Sequence, residues 1–409
     1  MAEITNFNEL IQDYIGPHKT IEEKHYSNLL APGENYFSDI KKIHVILKNK
    51  ETGAKETLDL VAKCCIINEF GPTFQLMCNE INFYKNVIPA LKKFQEKHGG
   101  PSITFFPELV GARLNLTGSE KPDNDAVIVQ KNLKVEGYEM QDRHVGFNLA
   151  TTKVILKDIA IYHATALSLK LSEPETFNNE IKEQCPGFEP PPPPPSPKGD
   201  DKTPLKDSPP NFLPIIAEYV KTNKELSHIQ AAFEKFSKRM EEDQNHFKAP
   251  PPKEPFCTLL HTDLWVNNTM PKIIEGVAVG NIFVDFQMCK IGSPVEDLIF
   301  FLVSSVQSLV LKSEFDNLIK YYHEEFRDVL KKYNCYSPQF SYDKFLEELK
   351  ENAERPIRQC TFMLPIAVFN KKGSRFDIKH QLKSEDLPEL AKDRLSILLL
   401  EAYKRKWIV

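Results

Sequence analysis

Two β-branched, apolar runs separated by a short turn are the first constraint on this chain. Asn35–Lys48 (NYFSDIKKIHVILK) and Glu56–Ile67 (ETLDLVAKCCII) flank Lys50-Glu51-Thr52-Gly53, a stretch with hairpin-turn chemistry. From Pro72 to about His98 the apolar residues Phe74, Met77, Ile81, Tyr84, Ile88 and Leu91 fall at helical spacing. This predicts one long helix, kinked or broken at Pro89. Two short strands are predicted at Glu108–Asn115 and Asp125–Gln130. Strands interrupted by a single helix predict a small antiparallel sheet with that helix packed on it.

A chain of 409 residues is too long for one such unit and calls for a second lobe. After about Leu133 the pattern turns helical: Val145–Leu169, Phe212 to about Asn245, and almost everything from Pro294 onward. The expected fold class is α+β, with an N-terminal lobe over residues 1–131 and a large, mainly helical C-terminal lobe over 132–409. Between the helices lies a proline-rich stretch, at about 186–210, with a run of six prolines, Pro190 to Pro195. Such a run adopts an exposed polyproline II helix. Its plain reading is a loop extension; the sharper one is a ligand for a groove that reads proline helices.

Composition excludes several classes. The charge is −5 with no basic tract, which argues against nucleic acid as a partner. The longest apolar run, Leu298–Leu311, contains three serines and a glutamine and is too short and polar for a membrane span. The first ten residues, MAEITNFNEL, lack the basic and apolar regions of a secretory signal. None of the eight cysteines sits in a CxxC spacing, so a structural zinc site is disfavoured and reduced thiols in a cytoplasmic protein are expected.

The most informative stretch is Cys257–Met270, CTLLHTDLWVNNTM. An apolar strand runs into His261-Thr262-Asp263, with Asn268 following in an H-x-D-x-x-x-x-N pattern. Further on, the apolar strand Asn281–Val284 ends in Asp285. Phosphoryl transfer needs these groups together: one carboxylate to orient and deprotonate the attacking hydroxyl, and an amide oxygen with a second carboxylate to hold Mg²⁺ against the phosphates. Upstream, Lys63 lies in an apolar strand, where an unpaired ammonium is costly. Glu80 on the following helix is its expected partner, with Glu69 and Glu51 as competitors. Such a pair would position the α- and β-phosphates of ATP. His163 reads as a core histidine. Asp297 reads as a helix cap or as a brace for the turn at Asp263.

These motifs carry a resemblance. GENYFSD (Gly33–Asp39), VAK (Val61–Lys63), NEINFY (Asn79–Tyr84), IYHATAL (Ile161–Leu167), HTDLWVNNTM and VDFQMCKIGSPVEDL (Val284–Leu298) resemble the ecdysteroid kinase-like family of insect small-molecule kinases. That family is related to choline kinases and aminoglycoside phosphotransferases. The resemblance spans about residues 10–405 and implies a two-lobed, protein-kinase-like fold that uses ATP and Mg²⁺. It implies Asp263 as catalytic base, Asn268 and Asp285 as metal ligands, and Lys63 with Glu80 as the phosphate-positioning pair. Asn35, Tyr36 and Ser38 would supply the phosphate loop, and Lys131 and Leu133 the hinge against the adenine. Three positions depart from the family pattern: Thr262 stands where glycine is usual, Lys131-Asn132 replaces an acidic pair, and the phosphate loop has only Gly33.

Only Met288–Ser293 separates Asp285-Phe286-Gln287 from Pro294, which leaves no room for the long segment on which protein kinases dock a peptide. The expected acceptor is a small hydroxylated, lipophilic molecule, such as a steroid alcohol or a xenobiotic. Phe300, Phe301, Tyr321, Tyr322, Phe362, Met363 and Phe369 are candidate apolar walls. Two alternatives stand beside this reading: a choline- or sugar-type kinase with an acidic acceptor cage, and an inactive kinase-like scaffold.

Overall fold

The computed structural model describes residues 3–28, 38–65, 73–119, 121–188, 212–242, 253–369 and 383–408. Asn35, Tyr36, Glu69 and the proline run lie outside these. The N-terminal region is a five-stranded antiparallel sheet built from β1 (Lys19–Asn28), β2 (Ser38–Asn49), β3 (Lys55–Cys65), β4 (Leu109–Arg113) and β5 (Val127–Lys131), in the order β1-β2-β3-β5-β4. The β2–β3 hairpin turns where expected. The Asn49 side-chain oxygen accepts from the backbone N–H groups of Glu51 and Thr52, and Gly53 takes φ of 70°. β1 was not expected. Its charged residues, largely exposed on a sheet edge, hide the alternation that marks a strand.

The sheet has two differently occupied faces. On one, Ile43, Val45, Leu47, Leu60, Ala62, Val127 and Val129 pack against Phe7 and Ile11 of two short N-terminal helical turns. On the other, Lys63 and its cross-strand neighbour Ile128 face α1 (Thr73–Asn82). The predicted long helix is three segments. α1 runs into a π-helical turn, Phe83–Val87, and then α2 (Ile88–His98). Pro89, which cannot donate a backbone hydrogen bond, sits at the start of α2, and the π turn absorbs the mismatch in the hydrogen-bond ladder.

The rest of the chain is mainly helical: α3 (Leu149–Ser172), α4 (Leu213–Thr222), α5 (Gln230–Glu242), α6 (Val295–Ser305), α7 (Ser308–Lys332), α8 (Tyr342–Asn352), α9 (Glu354–Phe369) and α10 (Glu389–Lys404). The first of these begins at Asn148, whose side chain caps the Thr151 N–H at 2.9 Å, rather than at Val145. α3 is buried on every side from Ile159 to Leu169, as a helix stretch apolar nearly all round must be. It packs on α7 and on two pairs of short strands, β6 (Thr258–Leu260) with β9 (Lys290–Gly292) and β7 (Thr269–Ile274) with β8 (Val277–Phe283). The apolar run Leu298–Leu311 is broken between α6 and α7, and no helix among the described residues is long and apolar enough to cross a membrane.

Gly111 of β4 shows how closely the N-terminal turns seat on the sheet, because a Cβ there would lie 2.5 Å from the Leu10 carbonyl oxygen. Gly111→Ala is expected to lower stability by roughly 1–3 kcal/mol, the usual cost of overpacking, read as a shift in the urea midpoint. An unchanged midpoint would mean that the N-terminal turns do not sit on β4 as described.

Candidate active site

The site grows out of the turn after β6. The fully buried Asp297, at the start of α6, accepts hydrogen bonds from the backbone N–H groups of His261 and Thr262, at 2.7 and 2.8 Å. Its carboxylate can only accept, so His163 Nε2, at 3.1 Å, donates to it. His163 Nδ1 is then left to accept from the Tyr322 hydroxyl at 2.8 Å. Burial works against the charge of Asp297, but these donors hold its carboxyl below the usual carboxylate range. Of the two roles considered for Asp297, the brace is the one observed. His163 is a core histidine, as expected, and it also supports the turn.

The brace holds a strained conformation. Thr262 has φ of 68° and Asp285 has φ of 70°, both in the left-handed region that β-branched and ordinary residues avoid. The Thr262 hydroxyl donates to the Met288 carbonyl at 2.8 Å, and the Gln359 amide of α9 donates to the Thr262 carbonyl at 2.7 Å. The residue that departs from the family's glycine therefore ties the turn to the segment after Asp285. His261 Nε2 donates to the Val284 carbonyl at 3.0 Å, which joins the turn to the strand leading into Asp285, and burial favours the neutral ring.

Asp263 and Asn268 meet. The Asn268 amide nitrogen donates to the Asp263 carboxylate at 2.9 Å and to its backbone carbonyl at 2.8 Å. This turns the Asn268 amide oxygen away from Asp263. Asp263 lies at a partly open rim, yet it is hemmed in closely enough that burial, reinforced by the charge of Asp285, pushes its carboxyl up to about 8. Lys63 Nζ lies 2.5 Å from Glu80, 2.7 Å from Asp285 and 3.3 Å from the Gln287 side-chain oxygen. Burial opposes its charge, but Asp285 and Glu80 together hold the ammonium well above its ordinary range. The competitor Glu51 is occupied by His18 at 2.9 Å.

The remaining candidates fall in different places. Leu133 is buried with Met270 and Ile282, and with Tyr138 and Val284 beside them, which makes an apolar floor. Lys131 pairs with Leu60 in the sheet, whereas Lys63 pairs with Ile128, so the two lysines point to opposite faces. The Lys131 ammonium goes to Glu108 at 2.6 Å, away from Lys63. Ser38 pairs with Cys65 in the sheet. Phe300, Phe301 and Tyr322 are core residues, while Phe362, one turn beyond Gln359 on α9, is 40% exposed.

Two contributors were not foreseen. Gln287 contacts both Lys63 and Asp285, and Asn79 donates to the carbonyls of Gly187 and Gln287, both at 3.2 Å. Both lie inside the quoted motifs NEINFY and VDFQ, so their positions were in view, but no spacing rule marked a glutamine or asparagine there. Phe286 completes the arrangement by stacking on Phe83 of the π turn, with ring centroids 4.2 Å apart.

As to metals, no three His, Cys, Asp or Glu side chains among the described residues cluster as a metal site. The available donors are hard oxygens from few residues: the Asn268 amide oxygen and the Asp285 carboxylate. That suits an ion such as Mg²⁺, which keeps several waters and takes one or two protein ligands beside phosphate oxygens.

The Asp263 carboxyl has a consequence for stability. Pushed up to about 8, it keeps its proton to about that pH in the folded protein and loses it near the ordinary aspartate value of about 4 when unfolded. The folded state therefore binds more protons between these values, and stability falls as pH rises from about 4 to about 8. Asp158, pushed up to about 7, contributes in the same direction. Without metal or nucleotide, the drop in urea midpoint from pH 5 to pH 8 is expected to shrink in Asp263→Asn and not vanish. An identical drop in both proteins would show that Asp263 is not protonated in the free site.

No curated protein matches the chain. Among solved structures it is similar to spectinomycin phosphotransferase in complex with ADP and spectinomycin, at 9% identity and TM-score 0.42, covering 95% of this chain and 94% of that one. It is also similar to ethanolamine kinase from Plasmodium vivax, at 10% identity and TM-score 0.35, covering 94% and 84%. A third is a choline/ethanolamine kinase family protein from Mesorhizobium loti, at 10% identity and TM-score 0.34, covering 91% and 92%. TM-scores below 0.5 leave the family match as the informative finding. The model of the ecdysteroid kinase-like family matches residues 32–335, well over half the chain and a span that includes Lys63, Glu80, Asp263, Asn268 and Asp285. The chain belongs to the ecdysteroid kinase-like family.

Proposed function

We propose that this protein transfers the terminal phosphoryl group of ATP, with Mg²⁺, to a hydroxyl of a small lipophilic molecule such as a steroid alcohol or a hydroxylated xenobiotic. The observation that carries this is the convergence of Asp263 with Asn268, and of Lys63 with Glu80 and Asp285, around one braced turn. Residues 1–131 would hold the nucleotide and 132–409 the catalytic turn and the acceptor, in the cytoplasm where ATP is supplied. Bound Mg²⁺–ATP supplies the transferable group and offsets the charge that builds on the phosphates.

The chain's own residues would do the rest. Glu80 holds the Lys63 ammonium in place for the α- and β-phosphates. The Asn268 amide oxygen and the Asp285 carboxylate would hold the metal. Asp263 takes the proton of the acceptor hydroxyl as its oxygen bonds to phosphorus and ADP leaves. A carboxyl titrating near neutrality is suited to that proton transfer, since general bases work best with pKa values near the operating pH.

Support for a small acceptor comes from the short stretch between Gln287 and α6, 3 residues of which are taken up by β9. Support for an apolar one comes from Phe362, exposed on the same helix whose Gln359 bonds the catalytic turn. A choline- or sugar-type acceptor calls for free carboxylates. On this stretch Glu354 is bonded to Arg358, and Glu348 to the Ser293 hydroxyl. The proline run Pro190–Pro195 is kept as a loop extension that offers a ligand to a proline-helix reader.

The test screens ATP consumption against steroids and hydroxylated xenobiotics, then pairs calorimetry with single-turnover phosphorylation of an accepted substrate. Asp263→Asn is expected to lower kcat by about 10²–10⁴-fold while ATP affinity stays within a few-fold. Asp285→Asn is expected to lose Mg²⁺-dependent turnover with the fold intact. Wild-type phosphorylation by Asp263→Asn would sink this mechanism, and the scaffold reading anticipates no effect from either change.

A further inference from the structure

The turn that carries Asp263 is a series of peptide planes, each with an N–H and a C=O that need partners. The Leu260–His261 and His261–Thr262 planes are held by Asp297, through the His261 and Thr262 N–H groups at 2.7 and 2.8 Å. The Asp263–Leu264 plane is held by Asn268, whose amide donates to the Asp263 carbonyl at 2.8 Å. Between them lies the Thr262–Asp263 plane. It sets ψ of Thr262 and φ of Asp263, and so the direction in which the Asp263 side chain leaves the backbone. On its N–H side Asp263 donates to His261 Nδ1 at 3.4 Å, which is long for a hydrogen bond. On its carbonyl side the Gln359 amide donates to Thr262 at 2.7 Å. The stronger hold on this plane therefore comes from α9, 97 residues further along the chain.

Gln359 is firmly mounted. Ile357 and Cys360, on either side of it, are fully buried and seat α9 in the core. A donor carried on a packed helix fixes its partner more closely than one carried on a loop. The plane also needs an outside hold, because Thr262, with φ of 68°, sits in a region that its own backbone preferences disfavour. A methionine at 359 would fill the same space on α9 but could not donate. Gln359 lies beyond the residues 32–335 that the family model matches, so the role inferred for it is not carried by that match.

We propose that Gln359 is a positioning residue for phosphoryl transfer: by holding the Thr262–Asp263 peptide plane it aims the Asp263 carboxylate at the acceptor hydroxyl. The inference rests on the reading of Asp263 as the base. Gln359 acts through the backbone of the turn, so its loss leaves the binding of acceptor and nucleotide in place and falls on kcat. A reacting group displaced by about 1 Å loses about 10²-fold in rate. α9 also carries the exposed Phe362, so the helix that aims the base and the helix that offers the apolar wall are one.

The test reads hydrogen exchange at His261, Thr262 and Asp263 by NMR in the nucleotide-free full chain, beside steady-state phosphorylation of oestradiol with Mg²⁺–ATP. Gln359→Met keeps the length of the side chain and removes the donor. It is expected to speed exchange of the Asp263 N–H several-fold, while His261 and Thr262, bonded to Asp297, keep wild-type rates. It is expected to lower kcat by roughly 10–100-fold, with KM for oestradiol and for ATP within about twofold. Gln359→His, whose Nε2 stands the same number of bonds from the backbone and can donate, is expected to recover both readouts. A merely structural role would loosen all three amides together and move KM as well. If Gln359→Met does not fold, Gln359→Glu takes its place, with the same shape and a carboxylate that only accepts. Unchanged exchange at Asp263, equal acceleration at all three amides, or no recovery in Gln359→His would each overturn the assignment. So would a wild-type kcat in Gln359→Met where Asp263→Asn is impaired. If Asp263→Asn keeps full activity, or the wild type does not phosphorylate oestradiol, the fault lies in the reading of the base or of the acceptor, and the exchange pattern alone decides for or against Gln359.

Discussion

A single buried carboxylate holds the centre of this molecule. Asp297 accepts from two consecutive backbone N–H groups and from His163, and with the Met288 and Gln359 bonds of Thr262 it holds that residue in a left-handed conformation at the turn carrying Asp263. The arrangement is costly in two ways at once, since a charge is buried and a β-branched residue is strained. Each cost is met by the same hydrogen bonds, because orphan backbone donors and a buried anion satisfy one another. The reach of this contact goes beyond the turn. Through His163 it extends to Tyr322 on α7, and through His261 to the strand entering Asp285.

The Lys63 cluster works by the opposite sign of the same logic. An ammonium on an inner strand is tolerated because Glu80 and Asp285 approach it from a helix and from a distant loop. That joins the sheet to the helical region by charge at a point where Phe286, stacked on Phe83, joins them by apolar contact. Glu80 is 17 residues from Lys63 but Asp285 is 222 residues away, so the cluster exists only once both regions are folded.

Much of this was legible beforehand because the signals were local. The β2–β3 hairpin, the helix after it, the strand before His261 and the helical remainder follow from spacing and turn chemistry. The pairing of Lys63 with Glu80 followed from what a buried ammonium requires, and the grouping of Asp263, Asn268 and Asp285 from their spacing, while the hydrogen bond from Asn268 to Asp263 was not marked by either. What escaped lacked local marks. β1 is an edge strand whose exposed charges mask its alternation. The π turn is a response of the backbone to Pro89 that no residue type announces. The resemblance implies a hinge at Lys131, and the side to which its ammonium points follows from sheet register, which only the pairing of β3 with β5 fixes. The brace at Asp297 was visible as one of two options, and only its partners decided between them.

β8 gives the molecule a partition one strand thick. Within three residues it places the buried Asn281 beside an outer cavity lined also by Tyr138 and Tyr321, Ile282 in the apolar floor with Leu133, and Phe283 in the core. Its pleat leaves no second layer to absorb a displacement. A shift of this strand toward either compartment is a shift away from the other, and the chain two residues past its end is already Asp285. The two sides are therefore mechanically adjacent, tied to each other by the position of one stretch of backbone.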